Sequence, residues 1–269
     1  MTQPTTSETA MPDELPARDN TGDAESWPAL ASGSRVVVLT GAGMSAESGI
    51  ATFREPLAGL WATFRPEDLA TRDGWRRDPA QVWAWYAERK SLIRQAQPHA
   101  GHQALVALES QFDVTVVTQN VDDLHEIAGS SRVLHLHGQI FDTRCFACDR
   151  PGPFEAIDAP APMRCRRCGG WLRPDVVWFG EALPHLVWLQ AEAAVAQADL
   201  VLVVGTSGTV QPAAGLAWPA VERGCRALEV NPSPWLGERS DGRVTSVAEC
   251  AGTALPRLAA ALLGHGGLS

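Results

Sequence analysis

Short uninterrupted apolar runs recur along the chain, each stopping at a glycine or an amide side chain. They are Arg35 to Thr40, Val114 to Thr118, Leu200 to Val204 and Ala227 to Val230. Runs of this length, rich in valine and leucine with no polar alternation, are expected of strands buried on both faces of a parallel sheet. Between and after them lie stretches compatible with helix, at His102 to Ser110, Leu186 to Ala198 and Leu255 to Leu263. This alternation predicts an α/β fold, a Rossmann-like doubly wound parallel sheet.

Two segments break the rhythm. Residues 55–98 carry Trp61, Trp75, Trp83 and Trp85 and read as helical, and residues 141–171 carry paired cysteines. Both are expected to form a smaller domain, a helical insertion beside a zinc-binding module. The sheet would then be built from about 31–54, 99–140 and 172–264, within a folded domain spanning 31–269. Residues 1–30 are rich in Thr, Ser, Pro, Asp and Glu. They hold too few large apolar side chains to offset the entropy of ordering, so a disordered leader is expected there.

Charge narrows the classes of partner. With 22 basic against 31 acidic residues the net charge is -9, which disfavours unspecific nucleic-acid binding and favours a basic protein or peptide. Lys90 is the only lysine. No apolar stretch is long enough to span a membrane and the start lacks a signal-peptide pattern, so a cytoplasmic enzyme is expected, with no membrane partner.

After the first strand comes Gly41-Ala42-Gly43-Met44-Ser45-Ala46, a GxGxxA turn opening toward a helix. Free amides and the positive end of a helix dipole suit a pyrophosphate there, although the pattern alone serves equally for a tight strand-to-helix turn. A dehydrogenase places a carboxylate about twenty positions later to hold the ribose. Residues 59–64 read Gly-Leu-Trp-Ala-Thr-Phe instead, which disfavours hydride chemistry. The loop runs on through Glu47 to Phe53 and Arg54, an aromatic and a guanidinium suited to a nicotinamide and a phosphate.

Cys145 and Cys148 form one CxxC pair and Cys165 and Cys168 another, with sixteen residues between them. Four thiolates at that spacing complete a tetrahedral Zn²⁺ site with no position left for a catalytic water, so one structural zinc per chain is expected.

The second strand ends in Gln119-Asn120-Val121-Asp122-Asp123-Leu124-His125, where parallel sheets bind ligands. These side chains suit ribose hydroxyls and a carboxamide, ahead of the plainer reading as a solvated loop with a helix cap. In Val133-Leu134-His135-Leu136-His137-Gly138 the alternation of a strand points both histidines the same way. A histidine of near-neutral pKa can serve as a general base. The place of His137, beside Gly138 and upstream of the cysteines, favours it.

Taken together and in order, GAGMSAESGIATFR, TQNVDDLH, HLHG, the two CxxC pairs, RPDVVWFGE and GTSGTVQPAA resemble the sirtuin family over essentially the whole folded chain, from Val36 to about Leu263. The resemblance implies NAD⁺-dependent deacylation of protein lysine. In that reaction the acyl-lysine oxygen attacks the nicotinamide ribose, nicotinamide leaves and the acyl group ends on ADP-ribose, so NAD is consumed. It implies that Gly41, Ala42, Gly43, Ser45, Ala46, Glu47, Phe53 and Arg54 line the cofactor loop and that Gln119 touches ribose. Asn120, Val121 and Asp122 would meet the nicotinamide end, with Asn120 and His137 catalytic and His137 the base. Gly205, Thr206, Ser207 and Asn231 would hold phosphate and adenosine ribose, and Ala251 would sit by the adenine. Val176, Val177, Trp178, Phe179 and Gly180 would form the strand that pairs with a substrate peptide.

Tyr86 and Arg89 match the YxxR pair by which some sirtuins accept acidic acyl groups. Residues three apart share a helix face, so a phenol and a guanidinium can converge on the carboxylate of a succinyl or malonyl lysine. The alternatives are a deacetylase without that preference, or a different class of enzyme in the same fold, an ADP-ribosyltransferase or NAD glycohydrolase that uses the pocket but not the acyl acceptor. Two departures from the pattern stand out: Ala51 replaces the family's proline, and the stretch from Glu55 to Trp61 is about one residue longer than in relatives that favour acidic acyl groups.

Overall fold

The computed structural model describes residues 29–50, 69–153, 156, 158–237 and 243–265. The strands are β1 (Arg35–Thr40), β2 (Asp113–Thr118), β3 (Val133–His135), β4 (Gly138–Cys145), β5 (Leu172–Val176), β6 (Leu200–Val204), β7 (Arg226–Val230) and β8 (Val244–Val247). The helices are α1 (Ala42–Ala46), α2 (Arg72–Arg77), α3 (Pro79–Gln95), α4 (Ala100–Leu108), α5 (Leu124–Ala128), α6 (His185–Gln197), α7 (Trp218–Glu222) and α8 (Ala251–His265).

Six strands form one parallel sheet in the order β3-β2-β1-β6-β7-β8. The chain therefore winds outward from β1 in one direction and, starting from β6, in the other. This Rossmann-like doubly wound arrangement opens a crevice beyond the carboxyl ends of β1 and β6, where the winding reverses.

Alternate residues of each apolar run serve opposite faces. Val36, Val38, Val114, Val116, Leu200 and Leu202 pack with Leu105 and Leu108 of α4 and with Leu255, Leu258 and Leu262 of α8. Val37, Leu39, Val117, Val201 and Val203 pack with Ala191 and Val195 of α6 and with Ala220 and Val221 of α7. Each such side chain contributes about 1.5–3 kcal/mol on leaving water, which fixes the register of the sheet and so the placing of the loops that follow its strands.

Beside the sheet, β4 and β5 pair antiparallel and pack under α2 and α3 in a separate core of Trp75, Trp83, Trp85, Tyr86, Ile140, Val176 and Trp178. Local signals set these helices: the Thr71 hydroxyl accepts from the Gly74 amide, and Asp78 accepts from Gln81 just ahead of Pro79 at the first helical position. No helix among the described residues is long and apolar enough to cross a membrane.

Several elements differ from the sequence reading. β3 stops at His135, and His137 lies in the turn before β4, so the two histidines do not share a strand. α8 begins at Ala251, four residues before the Leu255 at which helix was expected, and the Gly252 amide finds its acceptor in the Glu47 carboxylate at 2.7 Å. β8 was not anticipated, since Val-Thr-Ser-Val is a short edge strand with little apolar content. The expected leader and the stretch from Ala51 to Trp61 lie outside the described residues, apart from Ala29 and Leu30 of the leader, of which Leu30 is partly buried against the core.

Two fully buried histidines add a dependence on pH. His102 of α4 and His125 of α5 stack 5.0 Å apart, and His125 Nε2 sits 3.1 Å from the Thr40 hydroxyl. Burial pushes His102 down to about 3 and His125 to about 4, in each case against an ordinary 6.5. Between those values and 6.5 the unfolded chain binds protons that the native state refuses, so stability is present above pH 6.5 and falls as the pH drops toward 4. Two such groups give a limiting slope of about 3 kcal/mol per pH unit below pH 6.5. Urea titrations from pH 7 to pH 5 should show it, and His125→Gln should flatten it by about half; an unchanged slope would remove this histidine from the account.

Candidate active site

The crevice at the winding reversal holds a cavity of about 780 Å³, in the range that takes a large ligand. Its floor is two loops pressed together. The Gly41 amide donates to Val204 O at 3.0 Å and the Gly43 amide to Gly205 O at 2.8 Å. Gly205 has a φ of +59°, and a Cβ on it would collide with Gly43 and the Met44 nitrogen. Glycine on both loops lets the strands that diverge here keep their turns in contact, and a ligand can then approach bare backbone.

A polar relay stiffens the loop. Asn120 Nδ2 donates to Gly41 O at 3.0 Å and to Ser45 Oγ at 2.9 Å, and the Ser45 hydroxyl donates to Asp122 Oδ2 at 2.9 Å. Asp122 Oδ1 also accepts the Leu124 amide. Burial raises the Asp122 carboxyl, while the bonds from Ser45 and Leu124 act in the opposite sense. Ser45 is thus the hub that joins α1 to the end of β2. Asn120 and Asp122 reach each other through it.

The two histidines separate by their partners. His135 has both nitrogens engaged, Nδ1 with Asn120 O at 3.1 Å and Nε2 with Glu126 at 2.7 Å, and although burial opposes it, the Glu126 carboxylate raises its pKa. Among the described residues His137 bonds through Nδ1 alone, to Gln119 O at 2.9 Å, and it lines the cavity. That bond places the proton on Nδ1 and leaves the lone pair on Nε2. Burial holds the imidazole below its ordinary 6.5, partly offset by the Gln119 carbonyl, so it is neutral near pH 7. The following Gly138 takes a φ of +72°, and a Cβ there would strike Asp175 O, so glycine is needed for the turn that carries His137.

On the other wall, Asn231 Nδ2 and Trp235 Nε1 both donate to Thr206 O, at 2.6 and 2.9 Å, which fixes the loop of Gly205, Thr206 and Ser207. Gly41, Ala42, Gly43, Ser45, Gln119, Asn120, Val121, Asp122, His137, Gly205, Thr206, Ser207 and Asn231 all line the one cavity. Ala46, Glu47 and Ala251 do not: Ala46 is exposed, Glu47 caps α8, and Ala251 is buried against α4. Phe53 and Arg54 lie outside the described residues. Gln211, Pro212, Trp188 and Ser233 also line the cavity, and only the first two belonged to a motif legible in the sequence.

Val176 to Gly180 line the cavity together with Tyr86 and Arg89. Only Val176 belongs to a regular strand. The amides of Val177, Trp178 and Phe179 are spent on His137 O, Glu181 Oε2 and Ala70 O. The carbonyls of Val176 and Trp178 are taken as well, by the Arg173 guanidinium and the Glu181 amide, so most of the segment's backbone is bonded within the chain. Glu181 anchors the segment by accepting from Arg173 at 2.6 Å, Arg144 at 3.1 Å and Arg72 at 3.1 Å.

The four cysteine sulfurs lie within 4.8 Å of one another, with Cys145 to Cys168 at 3.4 Å and Cys148 to Cys165 at 3.9 Å. A tetrahedron with Zn–S of about 2.3 Å has edges of about 3.8 Å, so the quartet fits zinc. Backbone amides of Cys168 and Arg167 favour the thiolate of Cys165. With four protein ligands the metal is structural.

The sequence profile described as the Sir2 family matches residues 41–212. The chain belongs to this family. Among its relatives, the NAD-dependent protein deacylase of Mycolicibacterium paratuberculosis (strain ATCC BAA-968 / K-10) is 49% identical over 230 residues, covering 83% of this chain and 96% of that one. The crystal structure of a Sir2 homolog–NAD complex is 43% identical, with a TM-score of 0.78 over 85% of this chain and 89% of the other. A mutant Sir2 homologue in complex with 2'-O-acetyl ADP ribose is 42% identical, also at a TM-score of 0.78, over 87% and 94%.

Proposed function

We propose that this NAD-dependent protein deacylase favours lysine side chains carrying succinyl or malonyl groups, giving nicotinamide and O-acyl-ADP-ribose. The observation that carries the preference is the pairing of Tyr86 and Arg89, one turn apart on α3, both in the wall of the cavity. Burial lowers the Arg89 pKa, with Tyr86 acting against the shift. A carboxylate entering beside this guanidinium offsets its desolvation, which a methyl group does not. Burial also pushes the Tyr86 phenol above its ordinary 10.0, so it stays a donor across the working range.

In this reading NAD supplies an electrophilic ribose carbon and a leaving nicotinamide. The turn of Gly41, Ala42 and Gly43 lets its phosphates approach bare backbone, with the amides of Gly41 and Gly43 already bonded to Val204 O and Gly205 O, while Thr206, Ser207 and Asn231 hold the adenosine end and Gln119 reaches ribose. Asn120, Val121 and Asp122 surround the nicotinamide end, with the Ser45 relay keeping Asn120 in place. His137 Nε2 takes a proton from a ribose hydroxyl while Nδ1 stays on the Gln119 carbonyl, and that bond strengthens as the ring becomes cationic. Val176 to Gly180 bear the acyl-lysine segment of a protein substrate.

Mass spectrometry of acetyl-, succinyl- and malonyl-lysine peptides with and without NAD tests the preference. We expect Arg89→Met to raise KM for succinyl-lysine peptide by about tenfold to a hundredfold, as loss of a charge-assisted pair implies, with a much smaller change for acetyl-lysine peptide. Equal losses on both peptides leave a deacetylase with no acidic preference. Nicotinamide release without deacylation would point instead to an ADP-ribosyltransferase or glycohydrolase.

A further inference from the structure

Tyr86 and Trp178 share a hydrogen bond that nothing in the sequence announces. Trp178 Nε1 lies 3.0 Å from the Tyr86 oxygen, and both side chains are buried and line the cavity. An indole N–H can only donate, so the phenol oxygen is the acceptor. The hydroxyl proton of Tyr86 must then turn away from Trp178, and among the described residues no hydrogen-bond acceptor meets it. Without the indole the hydroxyl can take either of its two in-plane orientations.

Trp178 is itself held on every side. The Arg173 guanidinium, fully buried, stacks 3.7 Å above its ring, and the Trp75 ring sits 5.6 Å away. Its backbone amide donates to Glu181, which also binds Arg173. A chain of contacts thus runs from the arginine-bound Glu181 through Arg173 and Trp178 to the phenol.

We infer that Trp178 is a positioning residue for acyl specificity: its indole N–H fixes the Tyr86 hydroxyl so that the proton is presented to the far end of the acyl group, beside Arg89. This rests on the acidic-acyl reading above. A fixed donor costs less entropy on binding a carboxylate than a rotating one, so the gain belongs to succinyl-lysine and not to acetyl-lysine, whose methyl offers no acceptor.

The test is a double-mutant cycle on the zinc-loaded, full-length enzyme, with kcat/KM measured for matched succinyl- and acetyl-lysine peptides. Trp178→Phe is expected to lower the succinyl-to-acetyl ratio by roughly threefold to tenfold, the worth of one oriented hydrogen bond. Tyr86→Phe should lower it at least as much, and the double variant no further than Tyr86→Phe alone. A spectroscopic reading separates aiming from packing. Tyr86 is the only tyrosine, so enzyme grown on tyrosine labelled with ¹³C at Cζ gives a single side-chain resonance. That resonance should shift with succinyl-lysine peptide in the presence of Trp178 and shift less in Trp178→Phe. Should Trp178→Phe not fold, the tryptophan analogue with sulfur in place of the indole N–H, placed at position 178, removes the donor at constant shape. Independent, multiplying effects of the two substitutions, or an equal loss on both peptides from Trp178→Phe, overturn the inference. If Arg89→Met and Tyr86→Phe both leave the ratio unchanged, the acidic-acyl reading falls first and takes the inference with it.

Discussion

Cys165→Ala is expected to leave the chain without zinc and without its native fold around β4 and β5. The buried cluster of the module consists of Cys145, Ala156, Cys165 and Leu172, with Cys148 and Met163 packed against it. Three of these six are metal ligands and one is an alanine, so little apolar burial remains once the metal is gone. Structural zinc contributes about 10–16 kcal/mol of apparent binding energy near pH 7, against a net stability of about 5–15 kcal/mol for a typical domain. The loss does not stay local. Cys145 closes β4 and pairs with Leu172 of β5, whose Arg173 and Val176 hold the substrate wall. Elemental analysis should fall from about one zinc per chain toward zero, with an earlier melting transition and loss of deacylation together. A chelator strong enough to strip the wild type should do the same, reversibly with added zinc. Retained stability with an empty quartet would show that the tryptophan core carries the module unaided.

What the chain displayed in advance and what it hid divide along a physical line. The four central strands were legible because a run such as Leu200 to Val204 has no other stable home than a sheet covered on both faces. The glycine turn was legible as well, since its residues act through their own backbone. β8 was hidden because an edge strand of four residues derives its order from Val230 and its neighbours on β7, not from its own pattern. The start of α8 was hidden because its cap, Glu47, lies 205 positions away in sequence. Hydrogen bonds between side chains distant along the chain share this property. The Ser45 hub, the three arginines on Glu181 and the bond from Trp178 to Tyr86 join residues whose types are visible and whose meeting depends on the packed fold. The partners of the two histidines belong to the same group: the place of His137 beside Gly138 favoured it in the sequence, and the fold adds the ion pair of His135 with Glu126 and the cavity beside His137.

That separation sets up the largest effect expected on catalysis. His137→Ala should lower kcat/KM for every acyl-lysine peptide by about 10²- to 10⁴-fold, the usual contribution of a positioned general base. His135→Ala should cost far less in kcat, because both of its nitrogens already serve the fold. The pH dependence carries the finer test. Burial holds His137 below its ordinary 6.5, so the wild-type base is unprotonated at neutral pH and kcat/KM should stay level down to below pH 6.5 before falling. His135, with its pKa raised by Glu126, would place the acid limb above 6.5 instead. An acid limb above 6.5 that moves when Glu126 is replaced by glutamine would transfer the role of base to His135. A limb below 6.5 that vanishes only in His137→Ala, with zinc content and melting temperature unchanged, fixes the proton on the imidazole that Gln119 holds from behind.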